Sequence, residues 1–137
     1  MEGAIMLNLS EFNWLGGEHV WMRPGLPGPR LEIVIAGDES GPQATRLPLV
    51  EPVLAEIASV ERKASGYLDV FVHRPKFAPT SDWYLDNIDF GRGASDALDE
   101  FTAYFSIEED LYGLWSVRMR HTQHAGIVPK AFTRRQR

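Results

Sequence analysis

The chain's patterning predicts an α+β fold: a mainly antiparallel sheet of six or seven strands, with one principal helix over about residues 49–64 packed on one face. Three observations predict it. Short alternating or β-branched stretches recur between Gly- and Pro-rich turns, a helical apolar stripe runs from Leu49 to Ala64, and the size and composition suit one core. With 137 residues, 44% of them hydrophobic and 11% aromatic, residues 1–137 are expected to form a single domain without disulfide or metal staples.

Glu11 to Leu15 and Glu18 to Arg23 read as two short strands around Gly16 and Gly17. A Pro/Gly-rich connector runs from Pro24 to Pro29. Leu31 to Ala36 is almost wholly apolar and β-branched, which is the signature of an interior strand, and Gly37-Asp38 is expected to end it before a polar loop over 38–46. From Leu49 the period becomes helical, with Val50, Val53, Ile57, Val60 and Ala64 on one stripe. Pro48 and Pro52 fit a first turn, where amides have no intrahelical acceptor, and Gly66 offers a left-handed stop.

Tyr67 to His73 alternates and reads as a strand ended by Arg74-Pro75. After a loop holding Pro75 and Pro79, Trp83 to Phe90 reads as another, followed by Gly91-Arg92-Gly93 as a turn. Phe101 to Ile107 and Leu111 to His121 both alternate around Glu108-Glu109-Asp110. Pairing Ile107 with Leu111 sets Phe105 opposite Gly113, Ala103 opposite Trp115, Phe101 opposite Val117 and Glu100 opposite Arg118, so large meets small and opposite charges meet. A helix carrying Ala97, Leu98, Phe101 and Phe105 on one face is the rival reading for the first of these strands.

Composition excludes several chemistries. The chain has no cysteine, and therefore no disulfide framework, thiolate nucleophile or Cys-based zinc site. Glu2 stands where a secretory signal carries basic residues, and no stretch approaches the ~20 apolar residues that span a bilayer, so the expectation is a cytoplasmic protein without membrane contact.

Few residues suggest catalysis. His121 and His124 are three apart, but zinc normally takes three or four protein ligands. His73 shares an expected strand face with Asp69, and Ser65 and Ser95 are available hydroxyls, yet neither serine lies in a nucleophile-elbow sequence. Gly91-Arg92-Gly93 lacks the third glycine of a dinucleotide fingerprint and the ending of a phosphate loop. Residues 82–110 carry nine acids and one arginine, a net of −8, but Asp82, Asp86 and Asp89 miss the spacing of a calcium loop and read as a solvated acidic face. Trp14, Trp21, Trp83 and Trp115 suit core packing or a stacking surface. No cofactor or metal is expected.

Charge is distributed unevenly. Residues 1–110 hold all nineteen acids against eight basic residues, a net of −11, whereas residues 111–137 hold six basic residues and no acid. Such a dipolar chain can steer a charged partner or neutralise itself across a fold. Residues 130–137, following Pro129, read as a basic C-terminal arm.

The order of strand, Val/Leu/Ile helix and later strands ending in Tyr112-Gly113-Leu114-Trp115-Ser116-Val117-Arg118 resembles small bacterial α+β proteins of unknown function, some of them assigned as toxin-immunity partners. The resemblance covers residues 31 to 120 in organisation, without a diagnostic motif, and implies no particular functional residue. The expected function is a non-enzymatic protein-interaction domain, immunity-type or accessory, binding a protein partner or a second copy as a homodimer. Arg118, Arg120, Lys130, Arg134, Arg135 and Arg137, with Asp86, Asp89 and Trp83, are the expected contact residues. One alternative is a small hydrolase or metal-dependent enzyme using His73 with Asp69, or His121 and His124. A second is nucleic-acid binding through the basic C-terminal segment, against which the isoelectric point of 5.3 argues.

Overall fold

The computed structural model describes residues 5–24, 31–72, 82–91, 97–108 and 110–137. The strands are β1 (Asn13–Leu15), β2 (Val20–Arg23), β3 (Glu32–Asp38), β4 (Gly41–Pro42), β5 (Tyr84–Phe90), β6 (Glu100–Ser106), β7 (Gly113–Thr122) and β8 (Gly126–Gln136), and the helices are α1 (Leu47–Ala55) and α2 (Ile57–Phe71). They form one sheet of order β1-β2-β3-β5-β6-β7-β8, with β4 pairing on β3. Every pairing is antiparallel except that of β3 with β5, and α1 and α2 lie in the crossover this parallel pair requires. The fold is thus α+β and mostly sheet, with eight strands among the described residues rather than the expected six or seven.

Alternation along the strands decides which face is covered. Ile33 and Ile35 of β3, Ile88 and Phe90 of β5, Phe101, Ala103 and Phe105 of β6, and Trp115, Val117 and Met119 of β7 are buried in one cluster. They meet Leu49, Val50, Val53 and Leu54 of α1 and Ile57, Val60, Ala64 and Leu68 of α2. The opposite face is the polar one, where Glu32, Asn87, Tyr104, Ser116 and Thr133 succeed one another across β3, β5, β6, β7 and β8.

The single helix expected over 49–64 is instead two helices. Glu56, at φ −115° and ψ 34°, breaks the run, and the amides of Ser59 and Val60 restart it on the Glu56 carbonyl. The apolar stripe carries through this break. It also carries past Gly66, which is not a stop, and residues 67–71 are helical rather than a strand. Leu68 extends the 57-60-64 spacing into the core, leaving Val70 and Phe71 exposed. Burying a leucine stabilises by more than the ~1 kcal/mol a helical glycine costs relative to alanine. His73, Arg74, Pro75, Pro79 and Ser95 lie outside the described residues, as do residues 25–29 of the connector.

The β6–β7 hairpin forms, and it excludes the helical reading of residues 101–105. Its register differs by two residues from the expected one: Ala103 faces Val117, Phe105 faces Trp115 and Glu100 faces Arg120. Two successive turns, Asp110 N–H to Ile107 O at 3.0 Å and Gly113 N–H to Asp110 O at 3.1 Å, lengthen the connection. A shift of two preserves every face, so the apolar pattern alone could not detect it. Gly91 ends β5 at φ +108°, and a Cβ there would collide with the side chain of the buried Arg46. Arg92 and Gly93 lie outside the described residues.

The basic arm expected at 130–137 is not an arm. Residues 126–136 are β8, paired with β7 along its whole length, with a bulge that leaves Lys130 without a partner opposite. Alternation in this stretch is masked by Pro129 and by adjacent arginines, which hide Val128, Phe132 and the pairing positions from a period-2 reading.

Candidate interaction surface

The β6–β7 turn and the C-terminal half of β8 are joined by Asp110. Its Oδ1 accepts from Arg134 Nη2 at 2.9 Å and its Oδ2 from Arg134 Nε at 2.8 Å, a bidentate arrangement, while Trp115 Nε1 donates to Oδ2 at 2.9 Å. The guanidinium hydrogen bonds, aided by the indole and by the charges of Arg134 and Arg137, hold the Asp110 carboxyl below its ordinary pKa although partial burial opposes them. The same contact raises the pKa of Arg134. Gly113 makes this possible, because a Cβ there would strike the Asp110 carboxylate. Arg134 also lies 5.8 Å from the centre of the Trp115 ring.

On the helix-covered side, aromatic rings lead from the core to the surface. Trp83 meets Trp115 edge-on at 5.4 Å, Trp115 stacks on Phe132 at 6.2 Å, and Phe132 lies 5.8 Å from Phe71 at the end of α2. Phe71 is 57% exposed and its neighbour Val70 77% exposed. Leu111 and Tyr112, both exposed, lie beyond the other end of the 132–137 stretch, where Arg137 N–H donates to Tyr112 O.

The polar face holds a cleft of about 680 Å³ lined by Glu32, Asp86, Asn87, Tyr104, Arg135 and Arg137, among others. Asn87 Nδ2 donates to Glu32 Oε1 at 3.2 Å, and its buried Oδ1 has no hydrogen bond among the described residues. Arg137 approaches Asp86 at 3.9 Å. Arg135 makes no side-chain hydrogen bond or ion pair with a described residue.

The expected contact residues therefore separate into groups. Arg118, Arg120 and Lys130 converge on Glu100: Arg120 Nη2 and Lys130 Nζ each lie 2.8 Å from Oε2, and Arg118 Nε lies 3.7 Å from Oε1. Arg120 also reaches Asp99 at 3.3 Å. These three cations, themselves partly exposed, surround a carboxylate that is only 6% exposed. Asp89 is buried in the neighbouring row Asp89–Thr102–Arg118. Trp83 is buried too, with its indole N–H on Asp69 Oδ1 at 2.9 Å, so neither of these two forms part of a surface. Arg134, on Asp110, and Arg135, Arg137 and Asp86, at the polar-face cleft, form a separate group at the end of β8.

Phe71 and Val70 are exposed residues that the sequence reading placed on a strand rather than at the end of a helix. A helical continuation of the Leu68 stripe would have exposed both. His121 is the next-to-last residue of β7, near the turn that carries His124, and no group of three or more metal-binding side chains occurs among the described residues. No protein-family model matches the chain, and neither a curated protein nor a solved structure does.

Proposed function

We propose that this chain is a non-enzymatic, cytoplasmic protein-interaction domain, of an immunity or accessory kind, whose contact surface is the last turn of α2 with the C-terminal half of β8. The observation that carries this reading is that the end of β8 presents two kinds of contact group: exposed Phe71 packs against Phe132 on its helix-covered side, and Arg135 and Arg137 stand on its polar side. Aromatic and arginine side chains are enriched at interface centres, and soluble monomers seldom leave large apolar patches uncovered. The cysteine-free composition suits a reducing compartment.

Charge pairing favours a protein partner over nucleic acid. Four of the six C-terminal basic residues already meet Glu100, Asp99 or Asp110, and Arg137 reaches Asp86 only at 3.9 Å, which leaves Arg135 with the loosely held Arg137 as a short basic spot rather than a stripe tracking phosphates. A photo-crosslinking residue at Phe71, with one at Glu39 in the β3–β4 turn as control, tests the reading in the source cells. A discrete adduct is expected from position 71 alone and should be lost when Arg135→Glu and Arg137→Glu are added. No adduct at 71, or equal adducts at both positions, overturns it.

A further inference from the structure

β8 is an edge strand of eleven residues, and its two halves are treated differently by the fold. In the first half the outward groups are already occupied or missing. Lys63 Nζ donates to the Ile127 carbonyl at 2.9 Å, Tyr67 Oη donates to the Lys130 carbonyl at 3.1 Å, Pro129 has no N–H, and the bulge interrupts the ladder. These are the devices by which sheets close an edge to further pairing.

The second half lacks them. Arg137 N–H donates to Tyr112 O at 2.8 Å, which makes Tyr112/Arg137 a hydrogen-bonded pair of the antiparallel ladder. Alternation then makes Gly113/Gln136, Trp115/Arg134 and Val117/Phe132 the non-hydrogen-bonded pairs, so Phe132, Arg134 and Gln136 turn their N–H and C=O away from β7. No described element occupies those groups.

We infer that the outward edge at Phe132–Gln136 accepts an extended acidic segment of a partner protein as an additional strand. Side-chain placement specifies the segment. On the helix-covered side it would lie beside Phe132 and Phe71, which asks for an apolar residue there, and then beside Gln136 and Arg134, the latter already held by Asp110; on the polar side it would lie beside Thr133, Arg135 and Arg137, which asks for Asp or Glu. The sequence read is thus about five positions with acidic residues at alternate places and an apolar residue beside Phe132. A second copy of β8 does not satisfy it, because residues 130–137 carry four basic side chains and no acid, and self-pairing sets like charges together.

The inference rests on the interaction reading above, and its test separates the two. The ¹⁵N-labelled full chain is titrated with the capped peptide acetyl-Glu-Val-Glu-Val-Glu-amide and with its Lys-for-Glu counterpart. Binding of the acidic peptide should slow hydrogen exchange at the amides of Phe132, Arg134 and Gln136 by about tenfold or more, since each gains a backbone acceptor, and leave Thr133 and Arg135 unchanged. Gln136→Pro removes one outward donor without touching the β7 ladder, and should weaken binding about fivefold or more with an unaltered melting midpoint. Added salt should weaken it further, the contacts being screened over about 8–10 Å. Binding without the alternate protection overturns strand addition, as does equal binding of the lysine peptide or none of the acidic one. In each case an adduct at Phe71 would leave the interaction reading standing.

Discussion

Asp110 connects a turn to the edge strand through a single carboxylate. Its pKa is lowered from the ordinary 3.8 by the Arg134 hydrogen bonds, so the ionised form is favoured in the folded state. A depressed carboxylate pKa contributes stability that is complete above the unfolded value and is lost as pH falls through the folded value. Asp110→Asn should therefore lower the melting midpoint by roughly 2–6 °C near neutral pH, as expected for loss of a charged hydrogen-bond partner. The gap between variant and parent should close as pH is taken from 5 toward 2. Thermal melts by circular dichroism across that range check it, and a gap independent of pH would assign the effect to packing instead. In the sequence, Gly113 read as a small residue facing a large one across the hairpin. Its structural reason is different: the carboxylate of Asp110 occupies the space a Cβ would need. Contacts between a turn residue and a strand 24 positions later leave no local periodicity, so this site was not legible.

At the scale of elements, the apolar stripe of the helix and the faces of β3, β5, β6 and β7 were legible, because burial imposes a period on every residue. What failed was punctuation. Gly66 was read as a left-handed stop, and the alternation Leu68, Val70, Val72 as a strand, whereas α2 runs to Phe71 with Leu68 buried and Val70 exposed. A short apolar run supports both periods, and its choice is made by the sheet it packs against. The two readings predict opposite outcomes for one substitution. Gly66 is helical, with no positive φ, and a Cβ built there meets nothing within 4 Å. Gly66→Ala should therefore stabilise the protein by about 0.5–1 kcal/mol, through helix propensity and reduced freedom of the unfolded chain. Urea titration measures this directly. A left-handed residue at 66 would instead make the alanine destabilising.

Across the whole molecule, the separation of acidic and basic residues along the chain becomes adjacency in space. Glu100 and Asp99, at the start of β6, sit beside the arginines of β7 and the lysine of β8, and the Asp110 turn sits beside Arg134. A sequential strand order turns a charge split along the chain into cross-strand pairs. The sequence showed the split but not its use, since the strand carrying the last basic residues was read as an arm. That difference is testable by truncation. An arm beyond the domain could be deleted without loss. As a strand, residues 132–137 supply more than half of the pairing C-terminal to the bulge, the Phe132 ring against Trp115 and Tyr67, and the bidentate partner of Asp110. Their removal would also expose the edge of β7 and uncover Trp115. Losing an aromatic packed like Phe132 costs about 3 kcal/mol before the ladder is counted, and for a chain of this size that amounts to a fall of roughly 10 °C or more in the melting midpoint. Deletion of 132–137 should therefore give a protein that melts far below the full chain and binds a hydrophobic dye at temperatures where the full chain does not. The contrast is with Arg135→Glu and Arg137→Glu in the full-length chain: exposed and loosely held, these substitutions should move the midpoint by no more than about 1–2 °C while abolishing capture at Phe71. A truncated chain with an unchanged midpoint would mean that β8 ends before Phe132 in solution.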